Sequence, residues 1–238
     1  MKKFFYLVIA LALSSGHAMA FENEPEEGLS FMGLFGMNVS KLQNSEYSTK
    51  AGATLGIRAD YMLPKAHGTY LTAGIDWSMK GGKASDIIFD LSGQPIGSSK
   101  YVLHYIEIPV RIGFRYNVLE NLGLYGELGP YFAVGVGGTH GASIGLDGGE
   151  AREMEEELSF NAFKNYDDLT QSFQRWDAGI GFRIGAEYNQ RYNLMIGADW
   201  GLADIYRGSL RDRYFDVTGF SLPKVHNFNF SITVGYRF

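Results

Sequence analysis

The sequence predicts an all-β protein, an eight-stranded antiparallel up-and-down transmembrane β-barrel. Three observations predict it. Strand-length segments alternate apolar with polar residues, as a strand with two different faces does. The connections are alternately short and long, and aromatic residues gather near both ends of the apolar faces. The alternation is clearest at residues 228–238, where the odd-numbered residues include Asn229, Ser231 and Arg237, and every even-numbered residue is apolar.

Residues 1–20 have the form of a signal peptide, so we expect the folded chain to begin later. Lys2 and Lys3 precede an apolar run at 4–13 that is too short to span a bilayer, and Ala18-Met19-Ala20 resembles a cleavage site. The alternative is a retained anchor helix. Residues 21–28 form an acidic leader that we expect to be a solvated tail. The barrel is then one domain, residues 29–238.

Composition excludes several classes of function. The chain has no cysteine, which excludes a disulfide framework and thiolate chemistry. Its formal charge of −5 becomes −7 once Lys2 and Lys3 are removed, so there is no basic field for nucleic acid. After residue 20 there is no stretch of about 18 apolar residues, as a transmembrane helix would need. A closed barrel is then the remaining way for an exported chain to span a membrane.

The predicted strands are separated by connections of two kinds. Strands are expected at about 29–40, 51–63, 69–79, 101–116, 122–138, 173–188, 192–203 and 228–238. Short turns are expected at 64–68, 117–121 and 189–191, and longer loops at 41–50, 80–100, 139–172 and 204–225. An outer-membrane barrel has short periplasmic turns and long external loops, which predicts that both termini are periplasmic. Pro109 has no ladder donor, so we expect a bulge or local bend there.

Charged residues fall on the inward-facing side of the predicted strands. A soluble barrel would show the reverse, and a lipid-facing Arg or Lys at the bilayer midplane would cost about 2–4 kcal/mol. We expect the charges to pair in the lumen, with Glu107, Arg111 and Glu127 forming one network. The structural interpretation is a side-chain plug without stable conductance, and the functional alternative is a narrow ion path or proton relay. The predicted lumen network is Arg58, Asp60, Asp76, Glu107, Arg111, Arg115, Glu127, Asp177, Arg183, Glu187, Asp199 and Arg237.

Aromatic residues on the outward side predict two girdles at the membrane interfaces. Tyr70 is the exception, because its position in the alternation points it inward. The predicted girdle near the loop ends is Trp77, Trp176 and Trp200, and the one near the turn ends is Tyr61, Tyr116, Tyr188, Tyr192 and Tyr236.

Three stretches carry a resemblance to a known family: YIEIPVRIGFRY from Tyr105, LGLYGELGPYFAVGVGG from Leu122 and RWDAGIGFRIGAEY from Arg175. With them the chain resembles the outer-membrane β-barrel domain family common in Bacteroidota, often called porin-family or PorT-like. The terminal pattern of Val234, Tyr236 and Phe238 resembles the signal read by the barrel-assembly machinery. The resemblance implies outer-membrane location, with lipid and that machinery as partners. It carries over no catalytic residue.

Three functions are open on the sequence. The leading one is a non-enzymatic structural or interaction protein whose external loops contact a partner. That partner is expected to be an unknown surface or periplasmic protein. The second is a small pore or export-machinery accessory. The third is a lipid-modifying enzyme at the rim, with outward-facing His104 and nearby Ser98 or Ser99. No cofactor is predicted. The acidic run Glu150, Glu153, Glu155, Glu156 and Glu157 could hold a divalent cation, although a solvated surface is the plainer interpretation.

Overall fold

The structure is a computed structural model that describes residues 28–45, 48–89, 95–144, 160–163, 173–206, 208, 212, 215–216, 219–221 and 223–238. Its strands are β1 (Gly28–Gln43), β2 (Lys50–Met62), β3 (Thr69–Phe89), β4 (Pro95–Leu119), β5 (Leu122–Ile144), β6 (Phe160–Asn161), β7 (Trp176–Tyr188), β8 (Tyr192–Gly201) and β9 (His226–Arg237). The segments predicted as signal peptide and acidic leader lie outside the described residues, apart from Gly28.

Eight of these strands form one closed antiparallel sheet. The order is β4-β3-β2-β1-β9-β8-β7-β5, and β4 pairs with β5 to complete the ring. The closing seam joins β1 to β9 from Met32 opposite Arg237 to Gln43 opposite His226. The short strand β6 adds to the edge of β5 at Thr139 and His140. The predicted eight-stranded up-and-down barrel is therefore confirmed.

Short turns lie at one end of the barrel, which we call the turn end; the opposite end is the loop end. The turns follow β2, β4 and β7, as the sequence predicts. In the three-residue connection 189–191, Asn189 and Gln190 both have positive φ, 49° and 58°, and the Arg191 N–H donates to the Tyr188 carbonyl at 3.1 Å, so Asn189 and Gln190 are the central residues of a tight turn with the twist that a β-hairpin favours. Lys65, His67 and Gly68 also have positive φ in the turn between β2 and β3.

Three strands are much longer than a membrane requires. β3, β4 and β5 have 21, 25 and 23 residues, whereas a transmembrane strand needs about 9–11. The predicted loops 80–100 and 139–172 are therefore wrong in part: β3 continues to Phe89, β4 begins at Pro95 and β5 continues to Ile144. Likewise β1 continues through Gln43, inside the predicted loop 41–50. The alternation that predicts strands arises because one face of a strand meets lipid and the other meets the polar interior. Beyond the membrane surface the outward face no longer meets lipid, so these strand segments lack the pattern.

Of the bulge or local bend predicted at Pro109, the bulge is wrong, and the bend stays a prediction. Pro109 lies opposite Tyr131, and the same register continues to Ile112 opposite Leu128. The two register shifts between β4 and β5 lie elsewhere: one is between His104, opposite Gly137, and Tyr105, opposite Gly135, and the other is between Asn117 and Leu119 beside the turn. One extra β5 residue, Val136, is accommodated at the first of these shifts. The lack of a backbone N–H at Pro109 therefore does not shift the register between β4 and β5.

The two faces of the wall have opposite chemistry. Outward residues such as Ile57, Ile112 and Val234 are exposed and apolar, while polar and charged side chains fill the inside. The predicted girdle residues Tyr61, Tyr116, Tyr188, Tyr192, Tyr236, Trp176 and Trp200 are exposed on the outer face. Trp77 is half-buried, because its ring stacks on His104 at 5.5 Å. Tyr70 is fully buried inside, as its position in the alternation predicts.

Candidate functional site: the charged lumen and its outer plug

All twelve side chains predicted for the lumen network are buried inside the barrel. They form three clusters along its axis. At the turn end, Arg237 lies 2.9 Å from Asp60 and 2.8 Å from Glu187. Arg115 approaches the same two carboxylates at 3.6 and 3.4 Å. Because these four residues come from β2, β4, β7 and β9, the cluster connects distant parts of the chain.

The middle cluster spans the lumen. The Arg58 guanidinium on β2 donates to Glu127 Oε1 on β5 at 2.7 Å, and the Tyr70 hydroxyl donates to the same oxygen at 2.8 Å. Neither β2 nor β3 neighbours β5 in the sheet, so these bonds cross the interior. On β7 and β8, Arg183 lies 2.7 Å from Asp199.

Two further charges complete the middle cluster. Arg111 lies 3.6 Å from the other oxygen of Asp199. The carboxylate of Asp76 interacts electrostatically with Arg58, Arg111 and Arg183. Alternating positive and negative groups therefore compensate one another in a space with little water, which is the arrangement that buried charges need.

The loop-end cluster is centred on Lys80, which sequence reasoning missed. Lys80 Nζ is fully buried, 2.6 Å from Glu107 Oε1 and 4.0 Å from Asp177 Oδ2. It also lies over the rings of Tyr105 and Tyr131, at 5.6 and 5.0 Å from their centroids. The sequence analysis places Lys80 at the start of a loop. Lys80 nevertheless has the same parity as the inward-facing Thr72 and Asp76, so the alternation of β3, continued past residue 79, points it into the lumen.

The partners in the lumen differ from the predicted ones. The expected network of Glu107, Arg111 and Glu127 is only partly formed. Arg111 interacts electrostatically with Glu127, but the ion pairs of the three residues are with Lys80, Asp199 and Arg58 respectively. Asp177 is held by the Asn227 amide, which donates at 2.8 Å, and by the Tyr131 hydroxyl at 3.3 Å. Alternation indicates which way a side chain points, but not which strand it meets across the barrel.

The lumen holds almost no free space between the middle and loop-end clusters. The cavity lined by Thr54, Asp76, Glu107, Arg183 and Asp199 has a volume of about 10 Å³. That is close to the room that one water molecule occupies. At the turn end the lumen widens into a vestibule of about 380 Å³ beside Arg115, Arg191 and Arg237. The described side chains therefore close the lumen above this vestibule.

An apolar plug covers the lumen at the loop end. Phe163 follows β6 and lies inside the mouth, with its ring 5.8 Å from Tyr105 and the guanidinium of Arg175 5.6 Å above it. A Cβ added to Gly135 would lie 2.3 Å from this ring, so the glycine makes room for it. The other buried members of the plug are Leu42, Tyr101, Leu103, Tyr131, Ala133, Ala162, Phe173, Ile205 and Val225.

Tyr206 packs at the edge of this plug, outside the membrane-spanning part of the strands. Its ring lies 5.8 Å from Phe173, and its N–H donates to Asp204 at 3.2 Å. Burial raises the pKa of Tyr206 to about 12, with smaller contributions from Tyr101 and Asp204. A tyrosine hydroxyl is already neutral at physiological pH, and the raised pKa extends that neutral range to higher pH.

The residues considered for catalysis or metal binding are not assembled into such a site in the described part of the chain. His104 faces outward and stacks on Trp77, with 14° between the ring planes. The side chains of Ser98 and Ser99, and the acidic run at 150–157, lie outside what the structure describes. Among the described residues, no three His, Asp or Glu side chains form a group that could hold a metal ion. No helix in the same part of the chain is long and apolar enough to cross a membrane.

Comparison with solved structures finds outer-membrane barrels. Neisserial surface protein A is 15% identical, with 89% of this chain and 100% of that chain covered and a TM-score of 0.45. Ail, the attachment invasion locus protein of Yersinia pestis, is 13% identical, with 90% and 100% covered and a TM-score of 0.37. OprG from Pseudomonas aeruginosa is 12% identical, with 91% and 97% covered and a TM-score of 0.41. No curated protein matches the chain.

Comparison with family models identifies one family over nearly the whole chain. Residues 8–238 match the model described as outer membrane protein beta-barrel domain. The match agrees with the closed antiparallel barrel, its apolar outer face and its charged interior. The narrower Bacteroidota type stays a prediction. The chain belongs to the outer membrane β-barrel domain family.

Proposed function

We propose that this outer-membrane barrel is a non-conducting, non-enzymatic interaction protein that presents a sheet outside the cell. The observation that carries the proposal is the length of β3, β4 and β5. On β4 the outward apolar band ends near Ile106, and the strand begins ten or more residues earlier, at Pro95. At about 3.3 Å per residue, that part of β4 is roughly 33 Å long.

The projecting part is a continuous sheet. β3 and β4 pair from Gly82 opposite Tyr101 to Phe89 opposite Pro95, with a register shift on each side of Ile88. β4 and β5 stay paired out to Gly97 opposite Ile144. A paired sheet holds its shape at a lower entropic cost than free loops do, so it suits a partner-binding surface. The loop end is then external, and both termini are periplasmic.

The closed lumen argues against a pore. Among the described residues, the cavity between the buried ion pairs has a volume of only about 10 Å³, and the plug around Phe163 covers the mouth above it. We expect no stable conductance from the purified protein in planar bilayers. Reproducible large channels would contradict the closed barrel and favour the pore alternative.

The projecting sheet can be removed without disturbing the barrel. Lys83 and Lys100 are direct cross-strand partners, so an Asn-Gly turn that replaces residues 84–99 should close a shorter hairpin. We expect this variant to reach the outer membrane but to lose the proteins that co-purify with the intact chain from detergent extracts. Unchanged co-purification would contradict a role for the β3–β4 tip and favour a periplasmic partner.

Orientation has its own test, because the chain contains no cysteine. A single cysteine at Lys83 should react with a membrane-impermeant maleimide on intact cells. A matched cysteine at Lys65, in a turn, should react only after the outer membrane is opened. The reverse pattern would place the turn end outside.

A further inference from the structure

The vestibule at the turn end is a polar cavity that takes no part in the function proposed for the loop end. Its volume of about 380 Å³ lies within the range of about 300–1,000 Å³ that small-molecule sites occupy. Arg115, Arg191 and Arg237 line it, and Leu29 and Phe238 add apolar surface. A cavity with convergent cations and an apolar side is suited to a small organic anion.

Arg237 has its donors occupied by partners within the barrel. Its Nε lies 2.8 Å from Glu187 Oε2, and its Nη2 lies 2.9 Å from Asp60 Oδ2. Its Nη1 donates to the Ser30 hydroxyl. Both carboxylates are therefore held most closely by Arg237, which leaves it little capacity for a ligand.

Arg115 reaches the same two carboxylates only at longer range. Its Nη2 lies 3.6 Å from Asp60 and its Nη1 lies 3.4 Å from Glu187. Its buried Nε has no hydrogen-bond partner among the described residues. The side chain is only 7% exposed, so bulk water compensates little for the missing bonds. An acceptor that enters the vestibule can supply them.

Two tyrosine rings fix the position of the Arg115 guanidinium. Its central carbon lies 5.1 Å from the ring centroid of Tyr70 on β3 and 5.6 Å from that of Tyr125 on β5, the strands on either side of β4. A guanidinium presents its donors as a rigid planar fork, and a carboxylate matches this fork with two parallel hydrogen bonds. The group is therefore positioned in advance for a planar anion.

Arg191 adds a second cation at the rim. It is exposed, and among the described residues its side chain has one partner, the Tyr236 hydroxyl at 3.5 Å. Its charge is therefore not used in an ion pair within the described barrel. Glu187 lines the same cavity and repels negative charge, so a ligand with a single negative charge suits the site better than a dianion.

We propose that the vestibule binds a small monocarboxylate, with its carboxylate between Arg115 and Arg191 and its apolar part against Leu29 and Phe238. The carboxylate belongs either to a free acid or to the end of a peptide chain, because both present the same group. The site lies at the opposite end of the barrel from the projecting sheet, so the proposal does not depend on the function proposed above.

The test follows the Nε–H resonance of Arg115 in the isotope-labelled barrel, held in lipid bilayer discs, while hexanoate is added. We expect a saturable shift of this resonance, with the Nε–H of Arg183 in the middle cluster unchanged. Hexanamide has the same shape without the charge and should bind about tenfold more weakly, because hydrogen bonds between charged groups are stronger than those to a neutral amide.

A variant at the rim avoids the risk that a buried substitution prevents folding. Arg191→Gln should weaken hexanoate binding by about tenfold, because it removes an exposed cation beside the ligand. Lys65→Gln removes a cation from the same end of the barrel but not from the lining of the vestibule, and it should retain binding. An equal loss in both variants would show that only the general field of the turn end matters, and would contradict the site.

A further arm distinguishes the two sources of the carboxylate. Tighter binding of an acetylated tripeptide that ends in leucine than of hexanoate would assign the site to a peptide end, and equal or weaker binding would assign it to a free acid. Either result supports a carboxylate site. Absence of a saturable Arg115 shift, equal binding of hexanoate and hexanamide, or unchanged binding by folded Arg191→Gln would each overturn the proposal.

Discussion

Lys80 is the most informative residue for testing the packing of the lumen. Replacement of Lys80 by methionine keeps the length of the side chain but removes its charge. Glu107 then loses the ammonium group at 2.6 Å, and Asp177 loses it at 4.0 Å. Asp177 keeps its bonds from Asn227 and Tyr131, so Glu107 is the side chain most affected.

The cost follows from the burial of the pair. Lys80 is fully buried and Glu107 is 6% exposed, so water cannot replace the missing partner. Loss of one member of a buried ion pair costs about 3–5 kcal/mol. We expect the free energy of unfolding to fall by that amount for Lys80→Met. In the double variant Lys80→Met with Glu107→Gln no carboxylate is stranded at position 107, so the loss should be smaller than the sum of the single losses by at least about 1 kcal/mol.

Reversible guanidinium unfolding in lipid vesicles, followed by tryptophan fluorescence, measures these differences. The matched control is Lys224→Met, an exposed lysine at the same end, which should stay within about 0.5 kcal/mol of the wild type. A loss for Lys80→Met as small as that of the control would show that the ammonium group is not held as the structure describes, and the reasoning about the loop-end cluster would fail.

Three further outcomes are expected. Gly113→Ala should lower the free energy of unfolding by about 1–3 kcal/mol, because the added Cβ would lie 2.4 Å from the Tyr70 ring. In the same assay the control Gly126→Ala should be neutral or stabilising, because its added Cβ would lie 3.9 Å from the nearest atom. Deletion of Phe238, which is 82% exposed, should lower the amount of barrel in the outer membrane, measured by fractionation. The free energy of unfolding of the refolded barrel should change by less than about 1 kcal/mol. Normal levels in the membrane would contradict the role of Phe238 as an assembly signal. His104→Ala should leave the membrane lipid profile unchanged, and an altered profile would restore the rim-enzyme hypothesis.

The sequence predicts the membrane-spanning part well because lipid imposes a simple rule. Each outward residue meets hydrocarbon and each inward residue meets a polar interior, so a strand such as β7 or β9 is visible from its alternation. The three short turns are visible for the same reason, since they interrupt that pattern. Beyond the membrane the outward face of a strand no longer meets lipid, so the outer parts of β3, β4 and β5 lack this contrast and resemble loops in the sequence.

The partners inside the lumen could not be predicted in the same way. The direction in which a side chain points is set within one strand. The ion pair of Arg58 with Glu127, in contrast, depends on how two non-neighbouring strands are placed across the barrel. Lys80 was missed for both reasons, because it lies near the level where alternation fades and its partner Glu107 is on another strand. The plug residue Phe163 lies in the mouth because β6 pairs with the outer part of β5. The two-residue strand β6 is too short to show a periodic pattern in the sequence.

The turn-end cluster has a consequence for quality control during synthesis and export. Arg237 lies at the end of β9, and it supplies the shortest contacts to Asp60 and Glu187. A chain truncated before β9 would leave both carboxylates without this partner, in addition to an open seam along β1. Such a fragment lacks both the hydrogen-bond edge and the counter-charge that a sealed barrel needs, so we expect it to be a substrate for periplasmic proteases. Completion of β9 is thereby coupled to survival of the barrel.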